Sequence, residues 1–255
     1  MAAVPLAGWE RSSFTAAGIT RDWYRRGSGP CVVVVHEVPG ITPAVLRFAE
    51  EVVEAGFTVA LPDLVGTTGR PPTKGYLAAS LAKVCVAREF STWAVGRTSP
   101  IIAWLRALGR AVHAEVGGPG IGAVGMCFSG GFALGMMVDD LMLAPVLSQP
   151  SLPLPVGSER AGDLGLDPAD AAVVVERAAQ GCQVLGLRYR DDRAVGTRFG
   201  TLRELLGDAF IAVELPSGRP SDHSVLTEQR DEASVVRVLE FLRDRLTGAP
   251  DRTEG

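Results

Sequence analysis

An uninterrupted run of mostly β-branched residues, CVVVVH at positions 31 to 36, most constrains how this chain can fold. Such a run is typical of a strand that is buried on both faces, as in a parallel sheet. The segment after it predicts a helix that begins at Pro43, with Thr42 as its N-cap and Gly56 as its stop. Residues 57 to 61 predict a second strand, so this part of the chain forms one strand–helix–strand unit.

The rest of the chain continues the alternation of strands and helices. A loop is predicted over 63–76, strands over 120–126, 141–148, 183–190 and 209–214, and helices within 77–111 and over 129–138, 168–180, 196–206 and 224–246. This pattern predicts a single α/β-hydrolase-like domain over residues 1–255, with loose termini at about 1–18 and 247–255. Its sheet is expected to be doubly wound and mostly parallel, with helices on both faces. In such sheets, functional residues gather at the carboxyl ends of the strands.

Charge and composition exclude several classes of function. The 255 residues include 25 Lys and Arg against 29 Asp and Glu, and no basic cluster is longer than two residues, so no nucleic-acid partner is expected. No apolar run reaches the roughly 18 residues that span a bilayer, and the first residues lack the features of a secretory signal. We therefore expect a cytoplasmic protein without a membrane partner. The four cysteines form no CxxC motif, which argues against a zinc site and against a disulfide framework.

The strongest chemical signal is GMCFSG at positions 125 to 130, between a predicted strand of small residues and a predicted helix. A sharp strand-to-helix turn strains its central residue and needs small neighbours, which Gly125 and Ser129 provide around Cys127. A helix N-terminus also favours a thiolate. The turn makes Cys127 a candidate nucleophile, and a buried, unreactive cysteine is the alternative interpretation.

An acid and a histidine follow later strands. Asp191 and Asp192 come after the strand at 183–190, and His223 lies in the loop after the strand at 209–214. The order nucleophile, acid, histidine is the order of α/β-hydrolases. In that arrangement the imidazole takes the proton of the nucleophile and the carboxylate orients the imidazole.

Only three histidines are available for this role. His36, at a strand end, is the one rival to His223, whereas His113 is expected at the surface near a helix end. The alternative interpretation of His223 itself is a solvated loop residue.

Four motifs together resemble those of the dienelactone hydrolase family. They are GMCFSG, HEVPGI after the VVVV strand, VALPDL after the first helix, and the late DHS, and the resemblance covers about residues 30 to 240. It implies an α/β-hydrolase fold and the hydrolysis of lactones and esters, with the opening of dienelactone to maleylacetate as the type reaction. It also implies that no metal or cofactor is needed.

The resemblance assigns roles to individual residues. Cys127 matches the nucleophile of the family and His223 matches its histidine. Asp192 matches the acid, because Val195 follows it in a D-x-x-V pattern, and Asp191 is the fallback.

Further roles follow from the loop after the first buried strand. Glu37 matches a glutamate that contacts the resting cysteine, where it would hold the sulfur as a neutral thiol. The oxyanion hole maps to the backbone N–H groups of Val38 and Phe128. Two amides that converge on a developing oxyanion are often the largest single catalytic contribution.

The chain also departs from the family pattern. Ser129 stands where the family usually has glycine. An arginine that holds the substrate carboxylate maps to Arg88, with Arg97 as the runner-up, but the tyrosine that accompanies it has no counterpart nearer than Tyr76. The Pro-rich stretch at 147–157 either walls the substrate pocket or is a plain surface connection.

The sequence therefore predicts a hydrolase that cleaves a small ester or lactone through a Cys-His-Asp triad and an acyl-enzyme. Two other classes stay open: a thiol redox or sensor protein that uses Cys127, and a non-catalytic binding protein on a hydrolase scaffold. The sequence specifies neither the physiological substrate nor the oligomeric state.

Overall fold

A computed structural model of the chain describes residues 6–219 and 221–248, in which eight strands form one sheet. The strands are β1 (Glu10–Ala16), β2 (Ile19–Arg26), β3 (Cys31–Val35), β4 (Thr58–Pro62), β5 (Ile121–Met126), β6 (Met142–Ser148), β7 (Val184–Tyr189) and β8 (Phe210–Leu215). Their order across the sheet is β1-β2-β4-β3-β5-β6-β7-β8. Strands β3 to β8 pair parallel with one another, whereas β2 pairs antiparallel with both β1 and β4. The predicted mostly parallel α/β sheet is confirmed.

Helices cover both faces of this sheet. They are α1 (Pro43–Glu54), α2 (Lys74–Val86), α3 (Pro100–Val116), α4 (Phe132–Met136), α5 (Ser158–Gly162), α6 (Pro168–Ala179), α7 (Arg198–Leu206) and α8 (Glu232–Leu246). Strand β3 is buried throughout, and its successive side chains enter two different cores. Val32 and Val34 pack in the core that α1 and α8 cover, whereas Val33 and Val35 pack in the core of α3, α6 and α7. The apolar run at 31–36 thus contains a central strand with helices on each side.

The first predicted helix begins as expected. The side chain of Thr42 accepts a hydrogen bond from the Val45 N–H, and Pro43 is the first helical residue. A proline at this position loses no helical hydrogen bond, because the first N–H groups of a helix have no partner within it.

The expectation of a loose N-terminus over residues 1–18 is wrong for residues 10–18. Strands β1 and β2 form a hairpin through Ala17 and Gly18, both of which have positive φ angles, as a two-residue hairpin turn requires. The side chains of β1 alternate between exposed and half-buried, but its half-buried residues are Ser12, Phe14 and Ala16, of which only Phe14 is large and apolar, so its amphipathic signal in the sequence is faint. Residues 1–5 and 249–255 lie outside the described part of the chain.

The last helix is shorter than the predicted span of 224–246. Helix α8 begins at Glu232, and the side chain of Asp231 caps it by accepting a hydrogen bond from the Ser234 N–H. Residues 224 to 231 form turns instead, because the side chains of Ser224 and Thr227 bond to a buried carboxylate on another loop. Tertiary hydrogen bonds therefore override the helical pattern here.

Two other predicted boundaries also differ. The helix predicted over 129–138 is a 3-10 turn at Cys127–Ser129 followed by the short α4. Helix α2 begins at Lys74, capped by Thr73, and so starts inside the predicted 63–76 loop. Within the described residues, no helix combines the length and apolar character that a membrane crossing requires.

Candidate active site

Cys127 lies at the sharpest turn of the parallel sheet, directly after β5. Its φ angle is +56°, in the left-handed region that residues other than glycine rarely occupy. Its carbonyl oxygen accepts hydrogen bonds from the N–H groups of Gly130 at 2.9 Å and Ser151 at 3.0 Å. The side chain is 9% exposed. This is the local geometry of a nucleophile held on a strand-to-helix elbow.

The small residues around Cys127 are needed for steric reasons. A Cβ atom on Gly125 would collide with the Ser129 carbonyl, and one on Gly130 would lie 2.5 Å from the Cα atom of Pro150. The turn therefore closes only with glycine at both positions.

The hydroxyl of Ser129 ties the turn to the neighbouring strand. Its Oγ atom accepts from the Met126 N–H at 3.0 Å and lies 3.0 Å and 3.1 Å from the carbonyl oxygens of Val35 and His36. It is completely buried. The hydroxyl that distinguishes this position from glycine thus joins the exits of β3 and β5.

His223 and Asp192 meet across the exits of β8 and β7. The Nδ1 atom of His223 lies 2.7 Å from Oδ2 of Asp192, and the other oxygen of this buried carboxylate accepts from the Ala194 N–H at 3.0 Å. Asp191 is exposed, and its N–H donates to Ser217. Of the two adjacent aspartates, the structure places Asp192 against the imidazole.

The imidazole of His223 also interacts with Cys127. Burial by itself would lower the pKa of His223, but the charge of Cys127 and the hydrogen bonds to Asp192 and Cys127 outweigh burial and raise that pKa well above its usual value. The protonated imidazole is therefore favoured over an unusually wide pH range. An imidazolium next to a cysteine stabilises the thiolate, which is the nucleophilic form.

The other two histidines are placed differently. Nδ1 of His36 bonds to the Glu37 carbonyl at 2.8 Å, and its Nε2 accepts from the Leu64 N–H at 3.0 Å. Complete burial lowers the pKa of this imidazole, so it is held neutral between backbone groups. His113 is half-buried near the end of α3.

Glu37 is buried in a network of hydrogen-bond donors. Its Oε2 atom accepts from the Ser224 hydroxyl at 2.8 Å and from the Gln149 amide at 3.1 Å, and its Oε1 atom accepts from the Thr227 hydroxyl. Burial raises the pKa of this carboxyl, while the hydrogen bonds from Thr227 and Ser224 and the charge of His223 oppose the rise. Among the described residues, no hydrogen bond joins Glu37 to Cys127, which differs from the contact that the family resemblance implies.

The backbone N–H groups of Val38 and Phe128 are the two candidates for an oxyanion hole near the turn. Val35 pairs with Gly125 between β3 and β5, so Val38 and Phe128 each lie three residues beyond that pair. The Val38 N–H donates to no backbone carbonyl of the described residues. The N–H of Phe128 belongs to the first turn of its 3-10 helix, whose first internal bond runs from Gly130 to Cys127.

The predicted carboxylate-binding arginines lie apart from one another. Arg88 is exposed on a 3-10 turn over Arg88–Phe90. Arg97 is also exposed but borders a narrow, mainly apolar cavity that Phe128 lines. Leu152 and Pro153, from the Pro-rich stretch, line the same cavity.

Two other openings lie at this edge of the sheet. A surface cavity of about 220 Å³ opens beside His223 and Asp192. A wider cleft of about 530 Å³ lies near Arg21 and Asp63 and is lined by none of the predicted site residues. Cavity size alone is therefore a poor guide to the chemistry of this protein.

The dienelactone hydrolase family model matches residues 16–148, which is more than half of the chain. The chain belongs to the dienelactone hydrolase family. The matched segment contains Glu37, Val38 and Cys127 but ends before Asp192 and His223. The last two residues are therefore located by the geometry of the structure and not by the family match.

Solved structures of the dienelactone hydrolase type share this fold. A dienelactone hydrolase from Anabaena variabilis is 16% identical with a TM-score of 0.63, and the match covers 93% of this chain and 98% of that one. A dienelactone hydrolase-like promiscuous phosphotriesterase from metagenomic libraries is 17% identical with a TM-score of 0.63, with coverages of 93% and 98%. A cold-adapted esterase from an Arctic intertidal metagenomic library is 18% identical with a TM-score of 0.61, with coverages of 95% and 97%. None of the curated protein sequences matches this chain.

Several residues of the site in this dienelactone hydrolase-family chain are absent from the sequence prediction. Gln149, Ser224 and Thr227 all contact Glu37. Gln149 follows a predicted strand and Ser224 follows His223, so both stand at strand exits where polar residues are candidates for function. The sequence does not show that they share Glu37 as a partner, because the loops that carry these residues meet only in the folded chain.

Proposed function

We propose that this protein hydrolyses small carboxylic esters or lactones through a covalent acyl-enzyme on Cys127. The observation that carries the proposal is the placement of His223, which bonds to Asp192 at 2.7 Å and also interacts with the Cys127 side chain. Nucleophile, base and orienting acid occupy the exits of β5, β8 and β7. That is the arrangement of a nucleophilic triad.

In the acylation step, the Cys127 thiolate attacks the carbonyl carbon of the ester. A tetrahedral intermediate forms with negative charge on the former carbonyl oxygen. When it collapses, the bond to the leaving oxygen breaks, and the leaving alkoxide takes the proton of the His223 imidazolium. Asp192 holds the imidazole in the orientation that this transfer needs.

The N–H groups of Val38 and Phe128 are the proposed donors to the oxyanion. Both follow a paired position on neighbouring parallel strands, and the Val38 N–H is free of backbone acceptors in the described residues. Donors fixed by the fold do not reorganise as the charge develops, which makes them effective.

Deacylation reverses these roles. Neutral His223 takes a proton from water, the hydroxide attacks the thioester carbon, and the carbon–sulfur bond breaks to return the Cys127 thiolate. The carboxylic acid product then leaves. A lactone gives a hydroxy acid by the same two steps, because its leaving oxygen stays on the acyl chain.

The cavity of about 220 Å³ beside His223 and Asp192 favours a small substrate. The cavity beside Phe128 is smaller still, about 10 Å³, which is room for about one water molecule and not for a substrate. If the substrate carries a carboxylate, we propose Arg97, which borders that smaller cavity, as its partner ahead of Arg88, which does not.

The two alternative classes account for less of the site. A thiol sensor needs a reactive Cys127 but gives no role to the Asp192–His223 pair. A binding protein without catalysis has no use for a strained cysteine with an imidazole beside it. Both features serve nucleophilic hydrolysis.

The test is a hydrolysis assay with a chromogenic short-chain ester and a lactone. We expect activity in the wild type, its loss on alkylation of the protein, and loss of about 10⁴-fold or more in Cys127→Ala. Cys85→Ala removes a half-buried cysteine of α2 and is the matched control, which should keep full activity. Undiminished hydrolysis by Cys127→Ala would overturn the proposal.

A further inference from the structure

Gln149 occupies an unusual position at the exit of β6. It follows the last residue of that strand, and its side chain is completely buried. Its φ angle is +35°, in the left-handed region that favours glycine. A residue other than glycine or asparagine persists there only where its surroundings hold it.

The side-chain amide of Gln149 connects two loops of the site. Its Nε2 atom donates to Oε2 of Glu37 at 3.1 Å, and its Oε1 atom accepts from the Val225 N–H at 3.4 Å and from the Ser148 hydroxyl. Glu37 precedes the proposed oxyanion donor Val38, and Val225 lies two residues beyond His223. One amide therefore bridges the β3 exit and the histidine loop.

The residues after Gln149 support the nucleophile turn. Pro150 packs against Gly130, and the Ser151 N–H donates to the Cys127 carbonyl at 3.0 Å. The Gln149 backbone is itself fixed, since its N–H donates to the Leu187 carbonyl on β7 and its carbonyl accepts from the Ser151 hydroxyl. The exit of β6 thus contacts three loops that bear proposed catalytic groups: the β3 exit, the Cys127 turn and the histidine loop.

We propose that Gln149 is a positioning residue, which fixes the Glu37 carboxylate and aligns the His223 loop with the Cys127 turn. This inference rests on the proposed function. The Glu37 carboxylate is buried, and hydrogen-bond donors stabilise a buried carboxylate. The Ser224 and Thr227 hydroxyls come from the histidine loop, whereas the Gln149 amide comes from the exit of β6. Without this amide, the β6 exit, which supports the Cys127 turn, loses its side-chain bonds to Glu37 and to the histidine loop.

The first test is Gln149→Met, which keeps the length of the side chain and removes its donor and acceptor. We expect kcat for a short-chain ester to fall about tenfold or more, the factor expected for losing a hydrogen bond to a charged group, with KM changed less than about threefold. Gln180→Met is the matched control, because Gln180 is exposed and also donates to a glutamate, Glu176. Its kinetics should equal those of the wild type.

The second test exchanges the two partners. Gln149→Glu places a second carboxylate against Glu37 and should lower kcat further than Gln149→Met, because like charges repel in a buried site. The double variant Glu37→Gln with Gln149→Glu restores one amide and one carboxylate in contact. We expect its kcat to exceed that of Gln149→Glu alone by about fivefold or more.

These results separate the inference from the function on which it rests. An unchanged kcat in Gln149→Met, or a rise in KM at constant kcat, would overturn the positioning role even when Cys127→Ala is inactive. A double variant no better than Gln149→Glu would also overturn it, and this comparison holds if Gln149→Met folds poorly. Hydrolysis that persists in Cys127→Ala would instead reject the proposed function.

Discussion

His223 and Asp192 are joined by a hydrogen bond of 2.7 Å between Nδ1 and Oδ2, although 31 positions separate them in the chain. They meet because β7 and β8 are parallel neighbours whose carboxyl ends share one edge of the sheet. With Nδ1 bound to the carboxylate, Nε2 is the nitrogen available to the Cys127 side chain. The hydrogen bond to Asp192 fixes the tautomer of the neutral His223 imidazole and stabilises its charged form.

Replacement of the orienting acid should be costly. Asp192→Asn keeps the shape of the side chain but removes the charge that holds His223, and we expect kcat to fall about 10² to 10⁴-fold. Asp191→Asn is the matched control, since Asp191 is exposed and its side chain makes no hydrogen bond to any other described residue. Steady-state kinetics on both variants checks this. Equal losses in the two variants would contradict the assignment of Asp192.

The raised pKa of His223 predicts that this imidazole activates Cys127. Because the imidazolium persists to a higher pH than usual, a cation stands beside the Cys127 side chain from acidic pH through the neutral range, and a nearby cation favours the nucleophilic form of a cysteine. We expect His223→Gln to slow alkylation of Cys127 by iodoacetamide about tenfold or more at pH 6. The difference should shrink above pH ~9, where any thiol ionises.

Labelling of the other cysteines has to be subtracted in that experiment. Cys127→Ser reports the background from the remaining three, of which Cys31 is completely buried. Equal alkylation rates of wild type and His223→Gln at pH 6 would show that the imidazole does not activate the sulfur.

Glu37→Gln distinguishes two roles for the buried carboxylate. If Glu37 quenches the resting cysteine, as the family resemblance implies, its neutralisation speeds alkylation. In the structure the carboxylate bonds instead to the Ser224, Thr227 and Gln149 side chains and interacts with the charge of His223. Loss of its negative charge should then lower the pKa of His223, so the variant loses its imidazolium at a lower pH than the wild type, and we expect slower alkylation of Cys127 in the variant above neutral pH. Faster alkylation would favour the quenching role.

The sequence was sufficient to predict the central part of the fold and to name candidate residues at the strand ends. The apolar run at 31–36 and the turn around Cys127 both have short-range causes, namely burial on two faces and the steric demand for glycine at 125. Each of these signals is contained in a few consecutive residues, so it can be recognised without knowledge of the fold.

Other features depend on contacts that the sequence does not display. Asp191 and Asp192 are adjacent and chemically identical, and only the twist of the chain after β7 decides which one meets His223. Residues 224–231 have a helical pattern but are held as turns by Glu37, which is nearly 190 positions away. The hairpin at 10–26 was missed because the inward positions of its outer strand hold only one large apolar residue, Phe14.

Arg198 should be a large contributor to stability. It is 1% exposed, and its five N–H donors bond to the carbonyls of Pro153, Arg160, Asp163, Ala194 and Val195. Burial lowers the pKa of this guanidinium to about 10. It thereby fastens the Pro-rich stretch beside the cavity to the loop that follows Asp192.

Arg198→Met leaves these carbonyls without a donor, and we expect a loss of about 3 kcal/mol or more in the free energy of unfolding. Urea denaturation measures it, with the exposed Arg193→Met as control. A change of less than about 1 kcal/mol in Arg198→Met would mean that the carbonyls find other partners.

The central claim is that Cys127 carries the acyl group, and intact-protein mass spectrometry during turnover tests it most directly. The protein is mixed with excess p-nitrophenyl acetate, and the reaction is quenched in acid within the first turnovers. The mass of the intact protein is then measured, and the modified peptide is identified by tandem mass spectrometry. We expect a mass increase of one acetyl group on Cys127 that decays as the ester is consumed, with no acetyl group at position 127 in Cys127→Ala. Steady hydrolysis by the wild type without a transient adduct on Cys127, or with the adduct on another residue that Cys127→Ala retains, would contradict the account.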